Sequence, residues 1–465
     1  MIVTVGERAQ MSLDAVVDAA AGSARSAATL PFYRLLAKHP RDPVSAFEEV
    51  GRQAGGQIVR LNMGPFRPYL VTHPDHVQHV LKTNQPNYVR EGMFWDPLAP
   101  LIGGGILSDG ESWRESRKIL QPLFTVKYVD SLAERMADIL VEQIDEVVRP
   151  GEPFDIVGGI AEIVQKTIVR LFFGDKISDE DIARLIPAYE VGVTATAIRL
   201  VLPFVPGYVP MPGDRAFRRS IRTIDDVIYP RVRAAREDPG DGLDVVSAIA
   251  RARRDDIGPE GDRRIRDDMV GMHGASSETT STALAWAWVM LDEHQDVAER
   301  IYEEIDGTVG DGPVRPSHLP ELQYMRRFLQ EVVRLYPSGW ILPRRVLETD
   351  VIGGVTVKAG STVVLSPYIT HRLEEFWERP LEFDPERFAP GRERRHRWSY
   401  IPFSGGPHQC LGQHLFMIQA QFLLVSMLSR YRPVLHASGP KRARLASTLR
   451  PGGRLQMTMV ERSRA

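Results

Sequence analysis

The segment Phe403-Ser404-Gly405-Gly406-Pro407-His408-Gln409-Cys410-Leu411-Gly412 holds the chain's single cysteine and stands immediately before an apolar helical stretch. A thiol placed there meets free backbone N–H groups and the positive end of a helix dipole, both of which favour the thiolate. Gly405, Gly406 and Gly412 let backbone come close to something flat and bulky. Taken alone, the same cysteine reads equally as a buried structural residue, the common fate of a lone Cys. Other segments have to decide.

One cysteine excludes an intrachain disulfide and any multi-cysteine zinc or iron–sulfur site, and it fits a reducing cytoplasm. Basic and acidic residues number 58 and 60, so no charge excess advertises nucleic acid or an anionic membrane. A chain 43% hydrophobic and 25% charged is not disordered overall. Glu7 and Asp14 interrupt the N-terminal stretch, and the longest apolar run, 283–291, is too short to span a bilayer, so no membrane anchor is expected. Length alone predicts about three domains at ~150 residues each. No linker, repeat or low-complexity segment divides the chain, however, and one large domain is expected instead.

Working outward from the loop, the pattern predicts a last helix from Gly412 to Tyr431 and, upstream, strands at Ile341–Val346 and Val351–Leu365 with a Gly353-Gly354 turn. A helix from Pro320 stops at Tyr336, before Pro337. No proline occurs between Pro259 and Pro313, which permits a long central helix over Asp262–Asp292, apolar nearly all round in its second half. Helical spacing dominates Glu111–Ala250, interrupted by an apolar, proline-rich loop at Ala197–Pro212. Gly56–Leu70 alternates and breaks at Gly64-Pro65, as two strands would, with a short helix near Asp75–Leu81. The sum is mainly α with a minor β-sheet.

Phe403, Gly406, His408, Cys410 and Gly412 match the spacing Phe-x-x-Gly-x-(Arg/His)-x-Cys-x-Gly, and through it the chain resembles the cytochrome P-450 superfamily. Other motifs agree in order. Glu331 and Arg334 match the family's Glu-x-x-Arg, completed by Arg387 of Pro385-Glu386-Arg387-Phe388. Trp113 and Arg117 match Trp-x-x-x-Arg, and Ala275-Ser276-Ser277-Glu278-Thr279 matches (Ala/Gly)-Gly-x-(Asp/Glu)-Thr with Ser276 in the usual glycine's place. The similarity runs from about Pro43 to Met459, leaving residues 1–42 as an extension of unknown role and 43–465 as the haem-binding domain.

The resemblance implies haem b between the central helix and the Cys loop with its following helix. Cys410 is then the axial thiolate, a ligand whose electron donation favours O–O cleavage. Phe403 packs on the proximal face, while His408, Trp113, Arg117 and Arg344 hold the two propionates, which need cationic and N–H donors. Glu331, Arg334 and Arg387 form a structural network. Glu278 and Thr279 deliver protons for oxygen activation, a carboxylate and a hydroxyl side by side in an apolar cavity.

The implied activity is monooxygenation, with O2 as co-substrate, of a hydrophobic secondary metabolite such as a terpenoid or polyketide. The expected pocket carries Phe94, Trp95, Met272, Ala275, Trp340, Ile341 and Leu449, with Phe204, Val205, Ser447 and Thr448 beside them, and no evident charge. Electrons from NAD(P)H come through a separate ferredoxin and ferredoxin reductase, for which Arg392, Arg394, Arg395, His396 and Arg397 offer a basic patch. A cytoplasmic monomer is expected. Two other classes compete: a haem protein that binds or senses without turnover, and a transferase or hydrolase using Cys410 as nucleophile with His408 or His414.

Overall fold

A computed structural model describes residues 25–39, 42–64, 66–201, 205, 207–240, 244–392, 395–438, 441–445 and 447–462. Phe204 and Arg394 lie outside the described residues. The central helix runs from Gly258 to Glu293, 36 residues or ~54 Å of helix, starting with Pro259 in its first turn. Its second half is buried on every side (Leu284, Trp286, Trp288, Met290), which is why the apolar pattern there shows no face. Helices Ile156–Phe173, Asp214–Glu237, Gln323–Leu335 and Gln413–Leu428 pack around it. Among the described residues Gly406–Leu428 is long and apolar enough to cross a membrane, yet 72% of it is buried against these neighbours.

The minor sheet forms a second lobe. Its strand order is Ala28–Leu30, Val59–Leu61, Tyr69–Val71, Thr362–Leu365, Leu342–Val346 and Tyr88–Val89. The expected pair around Gly64 is present, with Val59 opposite Leu70. Residues before 43 also build this lobe: Ala28–Leu30 runs parallel to Val59–Leu61, and Phe32 packs beside Val44 and Phe47. The stretch expected as strand over Val351–Leu365 divides in two. Asp350–Ile352 and Val355–Val357 close on themselves through Gly353 and Gly354, both at positive φ, and only Thr362–Leu365 joins the large sheet.

Three further differences from the sequence reading concern loops and ends. The helix Asp179–Val201 extends into the expected proline-rich loop. The last helix stops at Leu428, and Tyr431–Ser438 instead pairs antiparallel with Arg454–Glu461, which pairs in turn with Pro153–Asp155. These strands come together across about 300 residues of chain, a pairing that local periodicity does not carry. A last hairpin, Ala443–Leu445 with Leu449–Pro451, lies against the central helix.

Candidate functional site

Cys410 sits in a turn whose backbone is dictated by packing. Its N–H donates to Phe403 O at 2.9 Å, and the Phe403 ring lies 5.5 Å from Phe416 of the last helix. Gly406 has φ +68°, and a Cβ there would stand 1.9 Å from Leu81 O, so only glycine fits. Gly412, by contrast, has room for a side chain; it contributes an N–H toward the Cys410 sulfur. Cys410 keeps exposed surface, while the atoms packed around its sulfur push the thiol up, with the Gly412 N–H and the Arg117 guanidinium pulling it back. The net direction is opposite to that expected from a helix terminus, because desolvation outweighs those two contacts.

Cations gather beside this thiol. Arg117, four residues along from Trp113 on the helix Gly110–Leu120, donates to Gln409 O at 2.7 Å. The Trp113 ring lies 4.2 Å from the His408 imidazole. His408 is buried with Nε2 2.8 Å from Asp109, whose carboxylate is desolvated yet held below its usual range by His408 and Arg90. Arg344, on the strand Leu342–Val346, is 4% exposed, donates to Pro343 O, and has no carboxylate within ion-pair distance among the described residues. Burial and the neighbouring Arg90 push it down to about 9. Arg90 is lowered to about 10 by burial, and its buried Nε has no hydrogen-bond partner, the Asp109 oxygen being 3.6 Å away.

Among Arg90, Arg117, Arg344 and His408, the one carboxylate within ion-pair distance among the described residues is Asp109, which meets Arg90 and His408. Buried guanidiniums without anions are costly. The surplus suits a ligand bearing two carboxylates, and an exposed sulfur beside it suits a metal in that ligand's plane. These residues fit a haem. Arg90 and Asp109 escaped the sequence reading because, in a chain with 50 arginines, nothing local distinguishes the one that folds inward.

The central helix supplies the acid and the alcohol. Ala275 is exposed and Ser276, Glu278 and Thr279 are partly exposed, although the flanking stretches 265–273 and 280–291 are buried. Four hydroxyls here bond back to the carbonyl four residues earlier: Ser276 to Met272 at 2.8 Å, then Ser277 to His273, Thr279 to Ala275 and Ser281 to Ser277, each at 2.7 Å. Such back-bonding loosens and bends a helix. Ser276 spends its proton inside the helix in this way. Thr279 does the same, which leaves its oxygen lone pairs as acceptors. Glu278 accepts from Ser447, Thr448 and Arg450.

Of the expected pocket residues, Phe94 packs edge-on to Phe66, and Trp95 lies under Arg90 with its indole donating to Pro343 O. Met272 and Ala275 are on the central helix, the first buried and the second exposed. Trp340 and Ile341 pack against the sheet lobe, where Trp340 meets Phe47. Leu449 has no exposed surface and belongs to that lobe's core, so it lines no open cavity. It is placed there because its strand carries it into the same buried cluster as Val44, Phe47 and Tyr368. The basic run is also redistributed. Arg395 stacks on Trp377 and donates to Arg387 O, and His396 pairs with Asp75, which leaves Arg392 and Arg397 as its exposed cations among the described residues.

Glu331, Arg334 and Arg387 meet in the interior. Glu331 receives Arg334 Nε at 2.6 Å, Arg387 Nε at 3.3 Å and the Asp384 N–H at 2.9 Å. Arg334 also donates to the carbonyls of His371, Pro380 and Glu382. This knot ties Gln323–Leu335 to the meander that leads into the Cys loop.

The cysteine-nucleophile alternative lacks its base: His408 and His414 face Asp109 and Asp130, and neither has a hydrogen bond to the Cys410 sulfur among the described residues. Comparisons with known proteins agree. The cytochrome P450 family model matches residues 28–457. Cyclooctatin synthase of Streptomyces melanosporofaciens is 29% identical over 385 residues, 82% of this chain and 83% of that protein. Pentalenene oxygenase of Streptomyces avermitilis is 26% identical over 415 residues, 88% and 91% of the two chains. The crystal structure of the cytochrome P450DA heme domain matches with a TM-score of 0.81 at 22% identity, covering 94% of this chain and 98% of that one, a likeness of fold. With the thiol, the cationic cluster and the acid–alcohol pair in place, the chain belongs to the cytochrome P450 family and is a monooxygenase.

Proposed function

We propose that this enzyme inserts one oxygen atom into an apolar small molecule of the terpenoid class, as a cytoplasmic monomer receiving electrons from NAD(P)H through a separate ferredoxin and reductase. The observation that carries the substrate class is the chemistry of the expected pocket residues: Phe94 and Ala275 keep apolar surface, Met272 is buried on the same helix as Ala275, and none of the three carries a charge to meet a carboxylate or amine. The similarity to a pentalenene oxygenase supports it.

Haem b would be held by Cys410 through its iron and by Arg90, Arg117, Arg344 and His408 through its carboxylates, and would supply oxygen activation. The protein's own part is positional. Cys410 would offer its sulfur from a turn that Gly406 makes possible. Buried Arg344 and Arg90 would neutralise the carboxylates. Thr279, its proton committed to Ala275 O, would accept a hydrogen bond from a proton donor near the reacting centre, and Glu278 would resupply that donor's proton. Ferredoxin docks near the exposed Arg392 and Arg397.

The test begins with the reduced, carbon-monoxide-bound difference spectrum of the purified protein and of Cys410→Ser. A far-red Soret band lost in the variant is expected. Pentalenene and related cyclic terpene hydrocarbons are then offered with NADPH, a ferredoxin and its reductase. A product heavier by one oxygen supports the assignment. Turnover of charged, polar probes and none of the hydrocarbons would overturn the substrate class.

A further inference from the structure

The acid of the acid–alcohol pair is held by a distant piece of chain. Glu278 Oε1 accepts hydrogen bonds from Ser447 Oγ at 2.6 Å, Thr448 Oγ1 at 2.9 Å and Arg450 Nη2 at 2.8 Å. All three donors belong to the hairpin Ala443–Leu445/Leu449–Pro451 or its turn, about 170 residues further along the chain. The same hairpin is docked along one face of the central helix, since residues four apart stand one above another. Thr448 Oγ1 lies 3.0 Å from Thr282 Oγ1, and Trp286 Nε1 donates to Leu449 O at 2.6 Å. Glu278, Thr282 and Trp286 therefore form a single stripe on which the hairpin rests. The backbone of Thr279 is tied in as well: Ser338 Oγ donates to Thr279 O at 2.7 Å, and Ser338 O receives the Leu449 N–H at 3.4 Å. Tyr189, on Asp179–Val201, also faces Glu278 and is held in its neutral form by burial and by that charge.

We propose that Arg450, with Ser447 and Thr448, is a positioning latch for Glu278, so that the C-terminal hairpin sets where the proton-delivering carboxylate stands. This rests on the reading of Glu278 as the acid that serves Thr279. Arg450 supplies the charge, and the two hydroxyls supply direction. Three donors converging on one oxygen leave Oε2 as the freer atom of the carboxylate. A proton leaves Glu278 for a hydrogen-bonded acceptor beside Thr279 Oγ1, one O–H bond breaking and one forming. The carboxylate left behind is the form that Arg450 stabilises, and a proton from solvent, to which Ser447 is exposed, restores the acid.

The test uses the holoenzyme, with Arg450→Ala, Arg450→Lys, Glu278→Gln and the control Arg444→Ala; Arg444 lies directly across the ladder from Arg450 and has no hydrogen bond to Glu278 among the described residues. The first readout is independent of turnover. Carbodiimide with glycinamide labels accessible carboxylates, and peptide mass spectrometry follows Glu278. Arg450→Ala is expected to label Glu278 roughly threefold faster than the parent, as loss of a partly exposed ion pair predicts, with Arg450→Lys and Arg444→Ala near the parent rate. Equal labelling in Arg450→Ala and the parent overturns the latch.

The second readout is NADPH oxidation with O2 as the only acceptor, at saturating plant-type ferredoxin and its reductase. Arg450→Ala is expected to fall roughly fivefold with a larger solvent deuterium isotope effect, at unchanged haem content, and Arg450→Lys to recover it. An increase in labelling with unchanged oxidation and isotope effect overturns the positioning role. Separately, Glu278→Gln with unaltered oxidation would remove the acid assignment itself and leave the labelling result standing, so the two failures are distinguishable.

Discussion

Replacing Glu331 by Ala removes the only carboxylate from an interior that holds two guanidiniums. Glu331 and Arg334 have no exposed surface and Arg387 has 4%. The change deletes the acceptors at 2.6 and 2.8 Å for Arg334, at 3.3 Å for Arg387 and at 2.9 Å for the Asp384 N–H. Arg334 keeps its three backbone carbonyls and its place 4.9 Å from the Trp377 ring, so it stays inside as an uncompensated charge. Breaking one side of a buried pair costs about 3–5 kcal/mol, against a total stability of order 5–15 kcal/mol. At about 2.1 cal/mol/K per residue, a chain of this length unfolds with an entropy near ~1 kcal/mol/K, so the loss corresponds to about 3–5 °C in Tm.

Differential scanning calorimetry of the holoenzyme reads this directly. The companion variant Glu331→Met/Arg334→Met/Arg387→Met removes all three charges and is expected to regain most of the lost Tm, because apolar groups of similar volume replace buried ion pairs at little cost. A Tm within about 1 °C of the parent for Glu331→Ala would refute the reasoning, since an isolated buried charge cannot cost so little.

Three further outcomes follow from the geometry. His371 is buried; the Ile401 N–H donates to its Nε2 and its Nδ1–H donates to Arg334 O, an arrangement only the neutral ring can make, and burial lowers it to about 3. The unfolded chain therefore takes up a proton that the folded one refuses from about pH 6.5 downward, and stability falls with pH at up to about 1.4 kcal/mol per unit. Urea titrations should show His371→Gln starting lower but losing about 2 kcal/mol less than the parent between pH 7 and 5, and parallel losses would contradict the assignment. Arg344→Leu should leave haem-free protein at least as stable while haem passes to apomyoglobin about 10- to 100-fold faster; equal transfer rates would take Arg344 out of the cofactor's cradle. Gly406→Ala should cut the haem-loaded fraction and lower Tm, as its Cβ meets Leu81 O at 1.9 Å and φ +68°, whereas Gly412→Ala, with only the Cys410 sulfur at 3.9 Å, should keep most of its haem.

Local chemistry made much of this protein legible. A cysteine before an apolar helix, Glu331 and Arg334 one helical turn apart, a long proline-free stretch and an adjacent Glu278-Thr279 pair are all short-range patterns, and each survives in the fold as the spacing implies. The mainly helical class follows from the same periodicity. Arg344 is named through the resemblance, whereas Arg90 is not, since no local pattern ranks which of many arginines is buried. Arg90 faces inward where the strands Tyr88–Val89 and Leu342–Val346 pair across more than 250 residues; Arg395, read as surface charge, stacks on Trp377 instead.

The terminal strands were illegible for a related reason: Tyr431–Ser438 and Arg454–Glu461 gain their ladder from each other and from Pro153–Asp155, not from their own alternation. The sequence by itself therefore determined the fold class, the placement of the lone cysteine before its helix and the adjacent acid and alcohol, whose pattern lies within a turn or two of chain. Only the tertiary structure decided that Arg90 and Asp109 join the cluster around His408, that Leu449 is core, and that Arg450 hydrogen-bonds Glu278. Burial and charge pairing depend on what distant segments bring into contact, and no local pattern encodes them.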